Sequence, residues 1–174
     1  MPISAYEQFV NLPDKETRRG LCLTLGQTIL DLMDLNGIKV EKVNIRVKTA
    51  ESMWRKIERR NSNAPLRDIY GIRIITEDPD RMKIKDLIQR VFPLTPEKFA
   101  DGTPSFREYA DPETRRQGRE RNKRISERHS AMHVNIVFLR DGEAVYDIAE
   151  IQILNPEEMG IFYETRGEYE NGKH

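Results

Sequence analysis

Ser130-Ala-Met-His133-Val-Asn135-Ile-Val-Phe138 is the stretch of the chain that predicts the fold most directly. Polar and apolar side chains alternate along it, and successive side chains of a β-strand point to opposite faces of a sheet. His133 and Asn135 therefore share one face, and the apolar side chains around them share the other. The pattern predicts a strand over residues 131–140 that has one apolar face and one face carrying polar groups.

A second strand is predicted over residues 144–154, and it also carries polar side chains among apolar ones, in Glu150-Ile-Gln152-Ile153. An Asp-Gly pair at 141–142 separates the two strands, and Asp-Gly between alternating segments is typical of a β-hairpin. If the register allows, the hairpin brings the face of Glu150 and Gln152 close to His133. A third segment of this kind is Asp68-Ile-Tyr-Gly71-Ile-Arg73-Ile-Ile75.

Ionisable groups on apolar strands are costly, because an unpaired buried carboxylate shifts its pKa or destabilises the fold. Asp68, Glu150, His133 and Arg73 on neighbouring strands therefore indicate a metal-assisted site for an anionic substrate. Taken alone, a strand histidine is more often a structural side chain, and the pairing with Glu150 favours function. Asp68 and Arg73 are five positions apart, so a regular strand would send them to opposite faces unless Gly71 supplies a bulge.

The remaining elements follow from hydrophobic periodicity and capping residues. Residues 94–128 are polar and show little periodicity, which predicts a long basic loop. With no internal repeat or linker, residues 1–174 are predicted to form one α/β domain with a mixed sheet. The other predicted elements are an N-terminal helical region at 1–38 with a helix at 15–35, strands at 40–47 and 68–76, and helices at 50–61 (capped by Thr49), 80–91 and 156–168. The inward side chains predicted for the helix at 80–91 are Met82, Ile84, Leu87, Ile88 and Val91.

Charge is balanced over the whole chain, with 29 basic and 29 acidic residues among 174, so the mean charge does not indicate a partner. The distribution is uneven. Residues 115–128 carry seven basic side chains against two acidic ones, and residues 141–170 carry nine acidic side chains against one basic one. A basic segment facing an acidic one suits a site that binds both a polyanion and a cation, although a solvated surface gives the same pattern.

Cysteine content and hydropathy exclude several classes of protein. Cys22 is the only cysteine, so an internal disulfide cannot form. The N-terminus lacks the basic start and apolar stretch of a signal peptide. No apolar run approaches the roughly 20 residues that cross a bilayer. We therefore expect a cytoplasmic protein with no membrane partner.

A cluster of cations is predicted where the strand at 40–47 leads into the following helix. Arg46 and Lys48 share a strand face, and Ser52 and Lys56 follow at the four-residue spacing of one helix face. Free backbone N–H groups at a helix N-terminus favour phosphate. The junction is a candidate phosphate site, and a solvated basic helix face is the alternative.

The motifs, in their order along the chain, resemble the synthetase domain of RelA/SpoT-type alarmone synthetases. The resemblance covers about residues 40–160, and the chain is similar in size to the small single-domain members of that family. It implies a nucleotidyltransferase-like fold with a mixed, mostly antiparallel five-stranded sheet flanked by helices. The matching stretches are Arg46-x-Lys48-x-x-x-Ser52-x-x-x-Lys56, Asp68-x-x-Gly71-x-Arg73, Ser130-x-x-His133 and Glu150-Ile-Gln152-Ile153.

The resemblance also implies an activity, in which a pyrophosphokinase transfers the β,γ-pyrophosphoryl group of ATP to the ribose 3′-hydroxyl of GDP or GTP. Asp68 and Glu150 would be the catalytic residues. Asp68 would be a ligand of Mg²⁺, and Glu150 would be either a second ligand or the group that accepts the 3′-hydroxyl proton, since Mg²⁺ needs only one or two protein carboxylates in addition to substrate phosphates. The residues implied to bind ATP are Arg46, Lys48, Ser52, Lys56 and Arg73. Those implied to bind the acceptor are His129, Ser130, His133 and Gln152.

The chain departs from the family pattern at position 129. Family members that use guanine nucleotides typically carry a tyrosine four residues before the histidine, and this chain has His129 there. Two alternatives therefore stay open. One is a toxin-like relative that uses an adenine nucleotide or the 3′ end of tRNA as acceptor; the other is a nucleotide- or RNA-binding module that has lost catalysis. Small members of the family often assemble, so a homo-oligomer is a further expectation.

Overall fold

The computed structural model describes residues 4–60, 62–77, 79–123, 125, 127–140 and 146–161, which contain a five-stranded sheet with helices packed against it. The strands are β1 (Val40–Val47), β2 (Tyr70–Thr76), β3 (Phe106–Glu108), β4 (Met132–Leu139) and β5 (Tyr146–Leu154). The helices are α1 (Ala5–Val10), α2 (Lys15–Leu35), α3 (Ala50–Arg59), α4 (Arg81–Val91) and α5 (Pro112–Arg121). Residues 156–161 are also helical.

The strand order is β1-β2-β5-β4-β3, and the pairing is mixed. β2 and β5 run parallel, whereas β1–β2, β4–β5 and β3–β4 are antiparallel. The predicted mixed, mostly antiparallel five-stranded sheet is therefore confirmed. Because β2 and β5 lie side by side at its centre, polar residues from distant parts of the sequence become neighbours there.

One face of the sheet carries the main core, and the apolar face predicted for β4 belongs to it. Met132, Val134, Ile136 and Phe138 are all buried in this cluster. α2 packs on β1 and β2, and Cys22 in this helix is fully buried beneath them. Burial raises the pKa of the Cys22 thiol to about 11. The apolar side of the sheet is thus filled, and His133, Asn135, Glu150 and Gln152 project from the other side.

The helices predicted from periodicity form within a few residues of the expected positions. Asp14 and Thr49 cap α2 and α3 by accepting the backbone N–H of Thr17 and Ser52, respectively. Two of the inward side chains predicted for α4 are wrong, because Met82 is 50% exposed and Val91, the last residue of the helix, is 39% exposed. Met82 lies two positions before Ile84, which is about 200° around a helix, so its side chain lies off the apolar stripe.

Residues 94–128 are not one long loop, because they contain β3 and α5. α5 has few apolar side chains, so it gives no hydrophobic period. Its start is marked instead by Asp111, which caps the helix, and by proline in its first turn. The N-terminal helical region predicted at 1–38 contains the short helix α1 as well as α2, and a capping box of Ser4 and Glu7 marks the start of α1.

The hairpin turn at 141–143 and the helix beyond 161 lie outside the described residues. None of the described helices has both the length and the apolar content that crossing a bilayer requires.

Gly118 in α5 should resist substitution by alanine. A Cβ atom there would lie 2.6 Å from Cε1 of the buried Tyr109 ring, so α5 or the ring must move. Overpacking typically costs about 1–3 kcal/mol, which exceeds the roughly 0.5–1 kcal/mol that alanine gains over glycine within a helix. We expect Gly118→Ala to lower the melting temperature measured by calorimetry.

Gly20 in α2 supplies the matched control, because an added Cβ there meets nothing within 4 Å. Gly20→Ala should raise the melting temperature through helix propensity alone. An equal rise in Gly118→Ala would contradict the packing of α5 against Tyr109.

Candidate active site

The larger of two neighbouring cavities on the polar side of the sheet has a volume of about 890 Å³ and is lined mainly by cations. They come from the end of β1, from α3 and the segment that follows it, and from the β3–α5 region. Ser52 lies among them, so the phosphate-binding residues predicted at the β1–α3 junction are brought together. The basic side chains of the lining are Arg46, Lys48, Lys56, Arg59, Arg60, Arg67, Arg107 and Arg121.

Asp68 lies in this cavity between two lysines. Its Oδ2 is 2.9 Å from Nζ of Lys48, and its Oδ1 is 2.8 Å from Nζ of Lys56. Burial acts to raise the pKa of Asp68, but the two ammonium groups outweigh it and hold the pKa below its usual value. Burial in turn lowers the pKa of Lys56, although Asp68 opposes this shift. Asp68 is therefore an ionised carboxylate that already faces cations.

The side-chain alternation of β2 does not decide on which side of the sheet Asp68 lies. The residue precedes β2, so the alternation of that strand does not apply to it. Gly71 pairs regularly with both neighbouring strands, and the bulge considered at this position is absent from the described ladder.

The second cavity, of about 150 Å³, is lined by both predicted catalytic carboxylates, Asp68 and Glu150. Arg46 and Asp68 line both cavities, which therefore adjoin. The parallel pairing of β2 and β5 sets Gly71 opposite Glu150, so no side chain of the neighbouring strand intervenes there. The structure thus brings the acidic groups at 68 and 150 together on the side of the sheet where the cations gather.

Arg73 and Gln152 form the next pair on the same face of β2 and β5, and both also line the small cavity. Two nitrogens of Arg73 donate to Oε1 of Gln152, at 3.1 and 2.8 Å. Gln152 in turn donates from Nε2 to Oε1 of Glu150 at 2.9 Å. A guanidinium, an amide and a carboxylate are thus linked across β2 and β5.

The second oxygen of Glu150 faces two positively charged or ionisable groups. Its Oε2 lies 3.5 Å from Nη2 of Arg107 and 3.5 Å from Nδ1 of His133. Burial acts to raise the pKa of Glu150, but His133, Arg107 and the hydrogen bond from Gln152 keep it below the usual value. Glu150 is ionised at neutral pH and, in this arrangement, is a weak proton acceptor.

Two of the predicted acceptor residues, His129 and His133, lie around an aromatic ring. Nε2 of His129 lies 3.0 Å from Nε2 of His133, and the ring of Tyr109 is 4.8 Å from each imidazole. Burial, followed by the neighbouring His133, lowers the pKa of His129 to about 3, so this imidazole is neutral at neutral pH. The carbonyl of Ser130 accepts a hydrogen bond of 2.8 Å from Nη1 of Arg81. His133 faces Glu150, and none of His129, Ser130 and His133 lines either of the two cavities.

A family model describing the region found in RelA/SpoT proteins matches residues 45–165 of the chain. The chain belongs to the RelA/SpoT family. The match includes the cations of the β1–α3 junction, both carboxylates and the two histidines, and it supports a pyrophosphotransferase of the alarmone synthetase type.

Solved structures of RelA/SpoT-type proteins share the fold. Small alarmone synthetase 2 from Bacillus subtilis aligns with a TM-score of 0.59 and 17% identity, over 91% of this chain and 79% of its own. Small alarmone synthetase 1 from B. subtilis, bound to its product pppGpp, gives 0.57 and 18%, over 97% and 82%. A GTP pyrophosphokinase family protein from Streptococcus pneumoniae gives 0.54 and 19%, over 97% and 77%. No curated protein matches the chain.

Sequence reasoning missed Arg107 and Tyr109 of this RelA/SpoT site. Both lie in the segment interpreted as a loop, and both line the large cavity. Nη1 of Arg107 donates to the Tyr109 hydroxyl at 3.3 Å, while Nη2 faces Glu150. The alternation Phe106-Arg107-Glu108-Tyr109 was the available signal, and three residues are too short a strand for it to stand out.

The two carboxylates would suit a magnesium ion bound together with a nucleotide. Among the described residues, no three His, Cys, Asp or Glu side chains converge into a metal site of their own. Mg²⁺ usually binds one or two protein carboxylates together with substrate oxygens. Two carboxylates line one cavity here, and the adjoining cavity is lined by cations that suit phosphates. Asp68 and Glu150 are the residues that would hold it.

Proposed function

We propose that the protein is an ATP-dependent pyrophosphokinase that transfers pyrophosphate from ATP to the ribose 3′-hydroxyl of GDP or GTP, producing (p)ppGpp and AMP. The observation that carries the proposal is the pair of adjoining cavities. One holds cations suited to a polyphosphate, and the other holds two carboxylates suited to the reacting centre. Asp68 lies where the two meet.

ATP phosphates bind among the cations of the large cavity. Guanidinium forks and ammonium groups form strong charge-assisted hydrogen bonds with phosphate, and Arg46, Lys48 and Lys56 are within this space. Ser52 lies in the first turn of α3, where backbone N–H groups also favour an anion. Arg73 lines the adjoining small cavity and completes the set of cations next to the reacting phosphates.

In the transfer step, the acceptor's 3′-oxygen forms a bond to the β-phosphorus of ATP. The bond between that phosphorus and the α,β-bridging oxygen breaks, and AMP leaves with the electron pair. Glu150 takes the proton of the hydroxyl group. Mg²⁺, when bound at Asp68 and Glu150, supplies neutralisation of the charge that builds up on the phosphate oxygens. Arg107 must release Glu150 for proton acceptance, and phosphates in the large cavity offer it another anion.

The acceptor nucleotide lies on the side of His133 and Gln152. Both side chains contact Glu150, so they can orient the ribose against it. A purine base needs an aromatic or planar surface, and Tyr109 with His129 offers two rings close together. The product pppGpp in the similar small alarmone synthetase 1 of B. subtilis supports a guanine nucleotide as the acceptor.

A second candidate is transfer to an adenine nucleotide or to the 3′ end of tRNA, which the absence of the family tyrosine at position 129 leaves open. The basic segment at 115–128 lends this less support than its composition indicated. Arg115 donates to three backbone carbonyls, Arg116 pairs with Glu113 and Glu120, and Arg119 pairs with Glu127. Much of its charge is therefore engaged within the protein. A binding module without catalysis would have no use for both Asp68 and Glu150.

Incubation with γ-labelled ATP and Mg²⁺, with GDP, GTP, ATP or uncharged tRNA added separately, distinguishes these functions. We expect label to appear in GDP or GTP. Label transferred to the 3′ position of a second adenine nucleotide, or to tRNA, would establish the second candidate instead. An absence of labelled acceptor under all four conditions would leave nucleotide binding as the function and would refute the proposed transfer.

A further inference from the structure

Four buried side-chain atoms that lack a hydrogen-bond partner among the described residues lie together around Glu150. They are Nε of Arg107, Nδ1 of His133, and both Nδ2 and Oδ1 of Asn135. The strand register explains why they gather: Arg107 pairs with His133, and Asn135 pairs with Glu150. Neither the family resemblance nor the proposed reaction gives Asn135 a role.

The Asn135 side chain is directly beside the Glu150 side chain. The backbone N–H of Asn135 donates to the carbonyl of Ser105 at 2.7 Å, on the side away from β5. Residue 135 is therefore in a non-hydrogen-bonded pair with Glu150, the pair type in which the Cα atoms approach to about 4.5 Å and the side chains are closest. Asn135 is 0% exposed, so its amide can act only on what surrounds it inside the fold.

Keeping this amide costs stability. A buried polar group without a partner costs about 1–3 kcal/mol, and valine or isoleucine would suit a central strand better. A buried polar side chain without a partner on a central strand is typical of functional sites. Glu150, in turn, has unused accepting capacity: it receives one contact of normal length from Gln152, whereas Arg107 and His133 stand at 3.5 Å.

We propose that Asn135 is a positioning residue for Glu150. When polyphosphate in the large cavity attracts Arg107, the Asn135 amide donates to the freed carboxylate oxygen and holds it towards the acceptor hydroxyl. Gln152 holds the other oxygen, so the carboxylate is fixed from two sides. This role rests on the proposed function, because it concerns the orientation of the residue that accepts the proton.

Asn135→Val and Asn135→Thr form a matched pair, because valine and threonine have nearly the same shape and differ by a methyl and a hydroxyl group. We expect Asn135→Val to lower kcat about tenfold or more, the size of effect that small misplacement of a reacting group produces. The KM values for ATP and the acceptor should change by less than about threefold, since neither substrate loses a contact. Asn135→Thr should recover most of kcat through its hydroxyl.

Thermal stability separates positioning from a structural role. Asn135→Val removes an unpartnered amide, so its melting temperature should equal or exceed that of the wild type. Val137→Ala, on the same strand face but outside the polar cluster, should show the opposite pattern, with a lower melting temperature and an unchanged kcat.

Several results would overturn the role of Asn135. The first is a kcat for Asn135→Val within about twofold of that of the wild type. The second is an equal loss of kcat in the valine and threonine variants. The third is a fall in the melting temperature of Asn135→Val that parallels its loss of activity. An active wild type with a fully active Asn135→Val would refute this role alone. A wild type that transfers no label would refute the proposed function and this role together.

Discussion

Replacing Glu150 with glutamine should reduce pyrophosphate transfer about 10³-fold or more, within the range that general acid–base groups contribute. Glutamine keeps the shape of the side chain and can still accept from Gln152, but it cannot take the hydroxyl proton or carry the charge that faces Arg107 and His133. The measurement is the initial rate of labelled product with ATP and the acceptor at saturation. Asp68→Asn should have an effect of similar size, because Lys48 and Lys56 lose their shared anion and Mg²⁺ loses a ligand.

The control for Glu150→Gln is Glu157→Gln, which removes an exposed carboxylate near the end of the same strand. Its rate should match that of the wild type. Circular dichroism at the assay temperature must show that Glu150→Gln is folded, because the substitution removes the carboxylate that Arg107 faces. A folded Glu150→Gln with full activity would remove Glu150 from the mechanism.

Asp147→Asn should be strongly destabilising while it leaves the active site intact. Oδ2 of Asp147 accepts from Nε of Arg140 at 2.6 Å and from the hydroxyl of Tyr70 at 3.0 Å, and all three residues are buried. Arg140 also donates to the carbonyl of Asn11 at 2.9 Å. Asparagine would remove the buried carboxylate that faces the guanidinium, and breaking a buried ion pair in this way typically costs about 3–5 kcal/mol.

Calorimetry should show a fall in melting temperature on the order of 10 °C for Asp147→Asn, given the scaling for domains of this size. Glu113→Gln is the matched control, since it breaks an exposed ion pair with Arg116 on α5 and should leave the melting temperature nearly unchanged. Equal shifts in the two variants would contradict the buried network as a source of stability.

The sequence predicted the parts of the site that depend on short-range periodicity. Alternation placed His133 away from the apolar face of β4, and the hairpin pattern brought it near Glu150, as the register of β4 and β5 bears out. The spacing of Lys48, Ser52 and Lys56 likewise predicted their gathering at one junction. In each case, the local pattern and the global fold agree.

The parts that were missed depend on contacts over long sequence distances. α5 is held by its cap and by ion pairs along its surface, so no hydrophobic period marks it. Arg107 becomes part of the site only because the three-residue strand β3 pairs with β4. The proximity of Asp68 to Glu150 depends on the parallel pairing of β2 with β5, which no local pattern in either strand specifies.

The most direct test of the proposed reaction is ³¹P NMR of the products formed from ATP, Mg²⁺ and GDP. Attack at the β-phosphorus predicts AMP and a guanosine nucleotide carrying a 3′-diphosphate, in equal amounts. Formation of ADP or inorganic phosphate with unmodified GDP would mean that the carboxylates at 68 and 150 serve a different chemistry.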